Sequence, residues 1–152
     1  MSKEKFRNTL DQQLCFAVYS AAQAFAQAYK PILAPLGLTY PQYLVMLLLW
    51  ERDDRSVKEL GEPLHLDSGT LTPLLKRLQS IGYIARGRDP EDERVTRVRL
   101  TARGAALRGA AARVPDQILC ATGLGIDHLR ELRETMKRLG IALRSAGAHA
   151  RP

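Results

Sequence analysis

Two cysteines, Cys15 and Cys120, stand in a chain of 152 residues. The first lies in the stretch Leu14-Cys15-Phe16-Ala17-Val18-Tyr19, which reads as part of an amphipathic helix. Redox chemistry is open to such a sulfur, whose thiolate is the reactive form. Tyr19 is one helical turn from Cys15. Tyr29 falls near the same angular line but about 21 Å further along the axis, at about 1.5 Å per residue. One straight helix therefore cannot bring Tyr29 to Cys15. Two copies running antiparallel in a two-fold dimer can, and such a contact is made twice. Against this stands the commoner use of a cysteine on an apolar helix, as a small buried hydrophobe.

These side chains must be positioned by helices. From Asn8 to Lys30 the apolar residues Leu10, Leu14, Ala17, Val18, Ala21, Phe25 and Ala28 recur every three or four positions, a helical stripe. Pro31 and Pro35 are expected to interrupt that helix, and Gly37 to suit its final turn. Thr39-Tyr40-Pro41-Gln42 fits a capping box opening a helix from Tyr40 to Arg52, apolar on nearly every side and so the buried centre. After the polar turn Asp53-Asp54-Arg55, Ser56-Val57-Lys58-Glu59 is a second capping box for a short helix ending at Leu64. Asp67 or Ser68 caps the next helix, which ends at Ile81 with Leu71, Leu74, Leu75 and Leu78 facing inward.

Two short strands are expected next, Tyr83 to Arg86 and Val95 to Leu100, joined by the wholly polar Gly87–Arg94 segment. Thr101 caps a helix to about Arg113, where Pro115 breaks or bends the chain. A short segment then carries Ile118, Leu119 and Cys120. The last helix spaces Leu129, Leu132, Met136, Leu139 and Leu143 so that it can seat against another helix. The tail from Ala146 to Pro152 is expected to fray.

Composition narrows the function classes. The formal charge of +7 favours a polyanionic partner. Two distant cysteines do not make a secreted disulfide framework. Met1 to Arg7 is charged, and no apolar run is long enough to span a bilayer. The expectation is a cytoplasmic protein without a membrane partner, in which any disulfide is an event. His65, His128 and His149 match no ligand spacing. No metal site, cofactor, phosphate loop or nucleophile triad is expected.

Two helices joined by a tight turn and followed by a polar-tipped hairpin spell a winged helix-turn-helix. The second helix offers Ser68, Thr70 and Thr72 at the end where base edges would lie, with Lys76 and Arg77 placed for phosphates. Arg86 and Arg88 lie on the way out along the hairpin and Arg94 on its return. An arginine at such a tip can enter a narrow minor groove. Each part alone also fits a solvated helix or an ordinary surface loop. The order of elements is more specific, and it points to double-stranded DNA.

Leu71-Thr72-Pro73-Leu74-Leu75-Lys76-Arg77-Leu78, followed by Gly82-Tyr83-Ile84, Asp92-Glu93-Arg94 and Leu100-Thr101, resembles the MarR regulators, dimeric winged-helix transcription factors of bacteria. The resemblance implies that Arg94 is the minor-groove residue, oriented by Asp92, and that the first and last helices form the dimer interface. Asp11-Gln12-Gln13-Leu14-Cys15-Phe16, with Tyr29 and Tyr40 following, resembles the organic-hydroperoxide-resistance branch of that family. There the cysteine matching Cys15 is a peroxide-sensing thiolate, and tyrosines matching Tyr29 and Tyr40 reach it from the other subunit. Cys120 stands where two-cysteine members carry a resolving thiol; the alternative is a structural one.

The fold expected is mainly α with a small β-hairpin wing: a single MarR-type domain over 1–152, a winged unit at 56–101, and dimerisation helices at 8–36 and 116–145. The function expected is a homodimeric repressor that holds operator DNA while Cys15 is reduced and releases it when an organic hydroperoxide oxidises Cys15. An intersubunit bond to Cys120 would complete the oxidation. The rivals are a regulator released by a phenolic ligand, with both cysteines incidental, and a thiol peroxidase. No Thr-x-x-Cys precedes Cys15 and no arginine lies next to it, which disfavours the enzyme.

Overall fold

Both capping boxes form in the computed structural model, which describes residues 9–149. The Thr39 N–H donates to Gln42 Oε1 at 2.9 Å, so Gln42 is a buried polar residue with a partner. It opens α2, Tyr40–Glu51, whose Tyr43, Val45, Met46, Leu49 and Trp50 are buried. In the second box the Glu59 N–H donates to Ser56 Oγ at 3.1 Å and the Ser56 N–H to Glu59 Oε2 at 2.7 Å. This box opens α3, Val57–Leu64.

The Glu59 carboxyl is held down at about 2, chiefly by the Ser56 backbone N–H and then by Arg52. Its contribution to stability is therefore present above the unfolded value and is lost as pH falls through the folded one. Glu59→Gln should lower stability at neutral pH, and urea unfolding should show the gap closing between about 4.5 and about 2.

α1 spans Leu14–Leu33, and its bounds differ from those expected. Leu10–Gln12 is a separate 3-10 turn, and Asn8 lies outside the described residues. Pro31 sits inside α1 without ending it. The proline removes one N–H, which the exposed Gln27 carbonyl four residues back can replace with water. The helix tightens into a 3-10 turn at Ala34–Leu36 and ends at Gly37.

α3 and α4, Ser68–Ser80, form the helix-turn-helix. The turn passes through His65 at φ 55, and the Leu66 N–H bonds back to the Gly61 carbonyl at 3.0 Å. A Cβ on Gly61 would lie 2.6 Å from the Leu66 oxygen, so only glycine lets the turn close this tightly.

The sheet has three strands, where two were expected. β2, Ile84–Arg88, and β3, Thr96–Leu100, make the hairpin in antiparallel register from Ile84↔Leu100 to Arg88↔Thr96. β1, Arg55–Ser56, adds to the other edge of β3, giving the order β1-β3-β2. Two residues are too few for an alternating pattern, so β1 reads from sequence as a turn. Thr101 caps α5, Ala102–Ala111, as expected.

The chain divides into two compact units at Val114–Pro115. The first holds the core, centred on Leu33, Met46, Leu49, Leu60, Leu71, Leu75, Leu78 and Val98. In the second, Pro115 lies near the start of α6, Val114–Thr122, so the short segment that carries Cys120 is a helix. α7 runs Ile126–His149. Ala146–His149 is thus helical, contrary to the frayed tail expected, since alanine sustains a helix to its end. Ala150–Pro152 lies outside the described residues. Leu132, Met136 and Leu143 of the expected seam are exposed, as is Ile141. No single described helix is long and apolar enough to cross a membrane; α1 and α2 pass that test only as a bent pair.

Candidate nucleic-acid interface and thiol site

α4 begins where Asp67 accepts the Thr70 N–H at 2.7 Å, a bond that holds the Asp67 carboxyl below its usual range. Leu71, Leu75 and Leu78 are buried, while Ser68, Thr70, Lys76 and Arg77 are exposed. Thr72 is half-buried, and its hydroxyl donates to the Ser68 carbonyl at 2.7 Å. Pro73 falls beyond the first turn of α4 and leaves the exposed Gly69 carbonyl without its in-helix donor.

The wing tip is built by side chains bonding to backbone. Asp89 Oδ1 accepts the N–H groups of Glu91 at 2.8 Å and Asp92 at 3.3 Å, and Arg88 donates to the Glu93 carbonyl at 3.0 Å. Asp92 then takes the Arg94 guanidinium through both oxygens, at 3.0 and 3.1 Å, together with the Arg94 N–H. The Arg94 side chain lowers the Asp92 carboxyl most, its backbone N–H next. Arg94 is thus held through its guanidinium and its backbone N–H, while 90 % of its side chain stays exposed to solvent. A groove of about 760 Å³ brings it together with Ser68 and Thr72, and adds Lys58 and His65 to the walls. Thr70, Lys76, Arg77 and Arg86 lie outside that lining. Arg86 is half-buried and donates through Nε to Gln79 at 2.7 Å, a strut between β2 and the end of α4.

Sequence reasoning missed Arg97. Its alternation with Val98 places it opposite the core, but its partners are remote. Nε donates to Asp54 Oδ1 at 3.0 Å and Nη2 to the Asp54 carbonyl. Glu59 lies 3.5 Å and Asp89 3.8 Å from the same guanidinium. The Asp53-Asp54 pair was the only available sign, and it reads as an ordinary polar turn.

Cys15 and Cys120 are both free thiols and both exposed, so neither is packed as a small hydrophobe within its unit. From Leu14 to Gln27 every residue of α1 is exposed, Leu14 at 58 % and Tyr19 at 61 % among them. The Tyr19 oxygen accepts from Gln23 Nε2 at 3.0 Å, a partner the sequence reading did not include. Tyr29 and Tyr40 come together at the α1–α2 junction, ring centroids 4.4 Å apart. Tyr43 lies 6.0 Å from Tyr29, and Trp50 6.3 Å from Tyr43. Burial, then Tyr40 and Tyr43, pushes Tyr29 up to about 12, and burial also raises Tyr40. Both phenols therefore stay protonated, able to donate to an anion.

Comparison with known proteins agrees with this architecture. Residues 27–108 match the family model described as transcriptional regulator SarA/Rot. The chain is 52 % identical over 128 residues to the HTH-type transcriptional regulator TtmR of Methylorubrum extorquens, an alignment covering 84 % of this chain and 66 % of TtmR, just under two thirds of that relative's length. It is 45 % identical over 130 residues to the organic hydroperoxide resistance transcriptional regulator of Bacillus subtilis, covering 86 % of this chain and 88 % of that one. Reduced AbfR bound to DNA superposes with a TM-score of 0.75 at 36 % identity, over 88 % of this chain and 93 % of AbfR. The winged unit, the matched lengths and these identities together place the chain in the MarR family of transcriptional regulators, as a homologue of the organic hydroperoxide resistance regulator.

Proposed function

We propose that the protein is a homodimeric repressor that reads peroxide through Cys15. One observation carries this: an exposed thiol opens α1, while two adjoining, protonated phenols stand at its far end and beyond reach of that thiol within one straight helix. A two-fold partner completes the site, and the exposed apolar residues of α1 and α7 are the faces it covers. Ser68, Thr70 and Thr72 read bases, Lys76 and Arg77 meet phosphates, and Arg94 enters the minor groove with Asp92 behind it. Arg86 serves by bracing the wing.

The chemistry runs in two steps. The Cys15 thiolate attacks the hydroperoxide's terminal oxygen, giving a sulfenic acid and releasing the alcohol once the alkoxide takes a proton. The Cys120 thiol of the partner then displaces water from that sulfenic acid and forms the disulfide. AbfR is seen reduced and bound to DNA, overoxidised and bound to DNA, and with its disulfide formed, which supports a disulfide as one oxidised state open to this chain.

Cys15→Ser should bind DNA normally and keep it after stoichiometric organic hydroperoxide, as read by fluorescence anisotropy. Release by this variant defeats the redox reading and favours a ligand-operated regulator. On a non-reducing gel the oxidised wild type should run as a dimer, and Cys120→Ser should not.

A further inference from the structure

We propose that Arg97 is a positioning residue for DNA recognition, setting where Arg94 stands relative to α4. This rests on the reading of Arg94 as a DNA contact. A wing and a recognition helix must meet one duplex together, and a two-stranded hairpin is by itself too marginal to hold a fixed place. Something must tie its outer end to the helices. Arg97 sits on β3, the central strand, and reaches both ways.

Inward, it holds the carboxylate and the carbonyl of Asp54, in the turn after α2, and lies 3.5 Å from Glu59 in the α3 capping box. Outward, it lies 3.8 Å from Asp89, whose other oxygen accepts the N–H groups of Glu91 and Asp92. Asp92 in turn grips Arg94. A continuous line of ion pairs and hydrogen bonds thus runs from the α2–α3 frame to the tip. Most ion pairs at a protein surface hold little, but the Arg97 and Asp89 side chains are only 24 % and 22 % exposed. Three carboxylates occupy the Arg97 guanidinium, so it positions the wing and does not itself meet a phosphate.

The test uses the full-length protein and the duplex that the wild type selects from a random-sequence pool. Anisotropy titrations across a salt series compare Arg97→Ala, Arg94→Ala and the double variant. Arg97→Ala should weaken binding about tenfold while lowering the salt slope no more than Arg94→Ala does. Added to Arg94→Ala, it should change affinity by less than about twofold, because its effect passes through Arg94.

Full additivity overturns the proposal, as does unchanged affinity. A salt slope about one lower in the double variant than in Arg94→Ala also overturns it, since that would mark Arg97 as a phosphate contact of its own. Should Arg97→Ala unfold, Asp89→Asn breaks the same line at the wing end, and additivity there overturns the proposal equally. If Arg94→Ala alone leaves affinity intact, the reading of Arg94 as a DNA contact fails and takes this proposal with it.

Discussion

Gly104→Ala should destabilise the protein by about 3 kcal/mol, while the same substitution at Gly109, in the same helix, should stabilise it by up to about 1 kcal/mol. A Cβ on Gly104 would stand 1.9 Å from the Tyr83 carbonyl oxygen. That oxygen already accepts the Thr101 N–H at 3.1 Å. Thr101 is locked too: its hydroxyl donates to the Gly82 carbonyl at 2.6 Å and accepts the Gly104 N–H at 3.0 Å. Neither α5 nor the base of the hairpin can yield without losing these bonds. The buried Trp50 indole, which donates to the Gly104 carbonyl at 2.9 Å, would lose its partner as well.

Gly109 has nothing within 4 Å of its Cβ position, so alanine there gains helix propensity at no steric cost. Thermal melts should separate the two variants by roughly 10 °C. Fluorescence of Trp50, the single tryptophan, should shift to the red for Gly104→Ala alone. Equal stability in the two variants would show that the α5–hairpin contact is not tight.

The second large effect is expected at the wing. Arg94→Ala should weaken specific DNA binding by about ten- to a hundredfold without changing the fold. The side chain is 90 % exposed and, among the described residues, bonds locally to Asp92, so nothing in the core depends on it. Asp92→Asn keeps the size of the partner but weakens the grip on the guanidinium, and should cost less than removal of the arginine. A nuclease footprint should show protection lost at the flanks, where wings reach, before the centre. An Arg94→Ala variant that binds at full strength would place the contact on α4 alone.

Local features were the most legible in the sequence. Thr39 with Gln42 and Ser56 with Glu59 are three residues apart, and both boxes form. The leucine face of α4 follows from helical period, and the polar wing tip from its composition. The bounds of α1 were read less well, because Pro31 lies where its missing donor can be replaced by water. β1 escaped notice because a strand of two residues has no period.

Sequence alone determined the helical order, the caps, the winged unit and the candidacy of Cys15, since each is written in contacts a few residues long. Tertiary structure decided which of those residues meet. It set Tyr29 against Tyr40, drew Arg97 across 43 residues to Asp54 and seated Trp50 against Gly104 across 54. It also left Cys15 and the apolar face of α1 uncovered within their own unit. Periodicity shows that a face is apolar, but only packing shows whether the chain itself has surface to cover it.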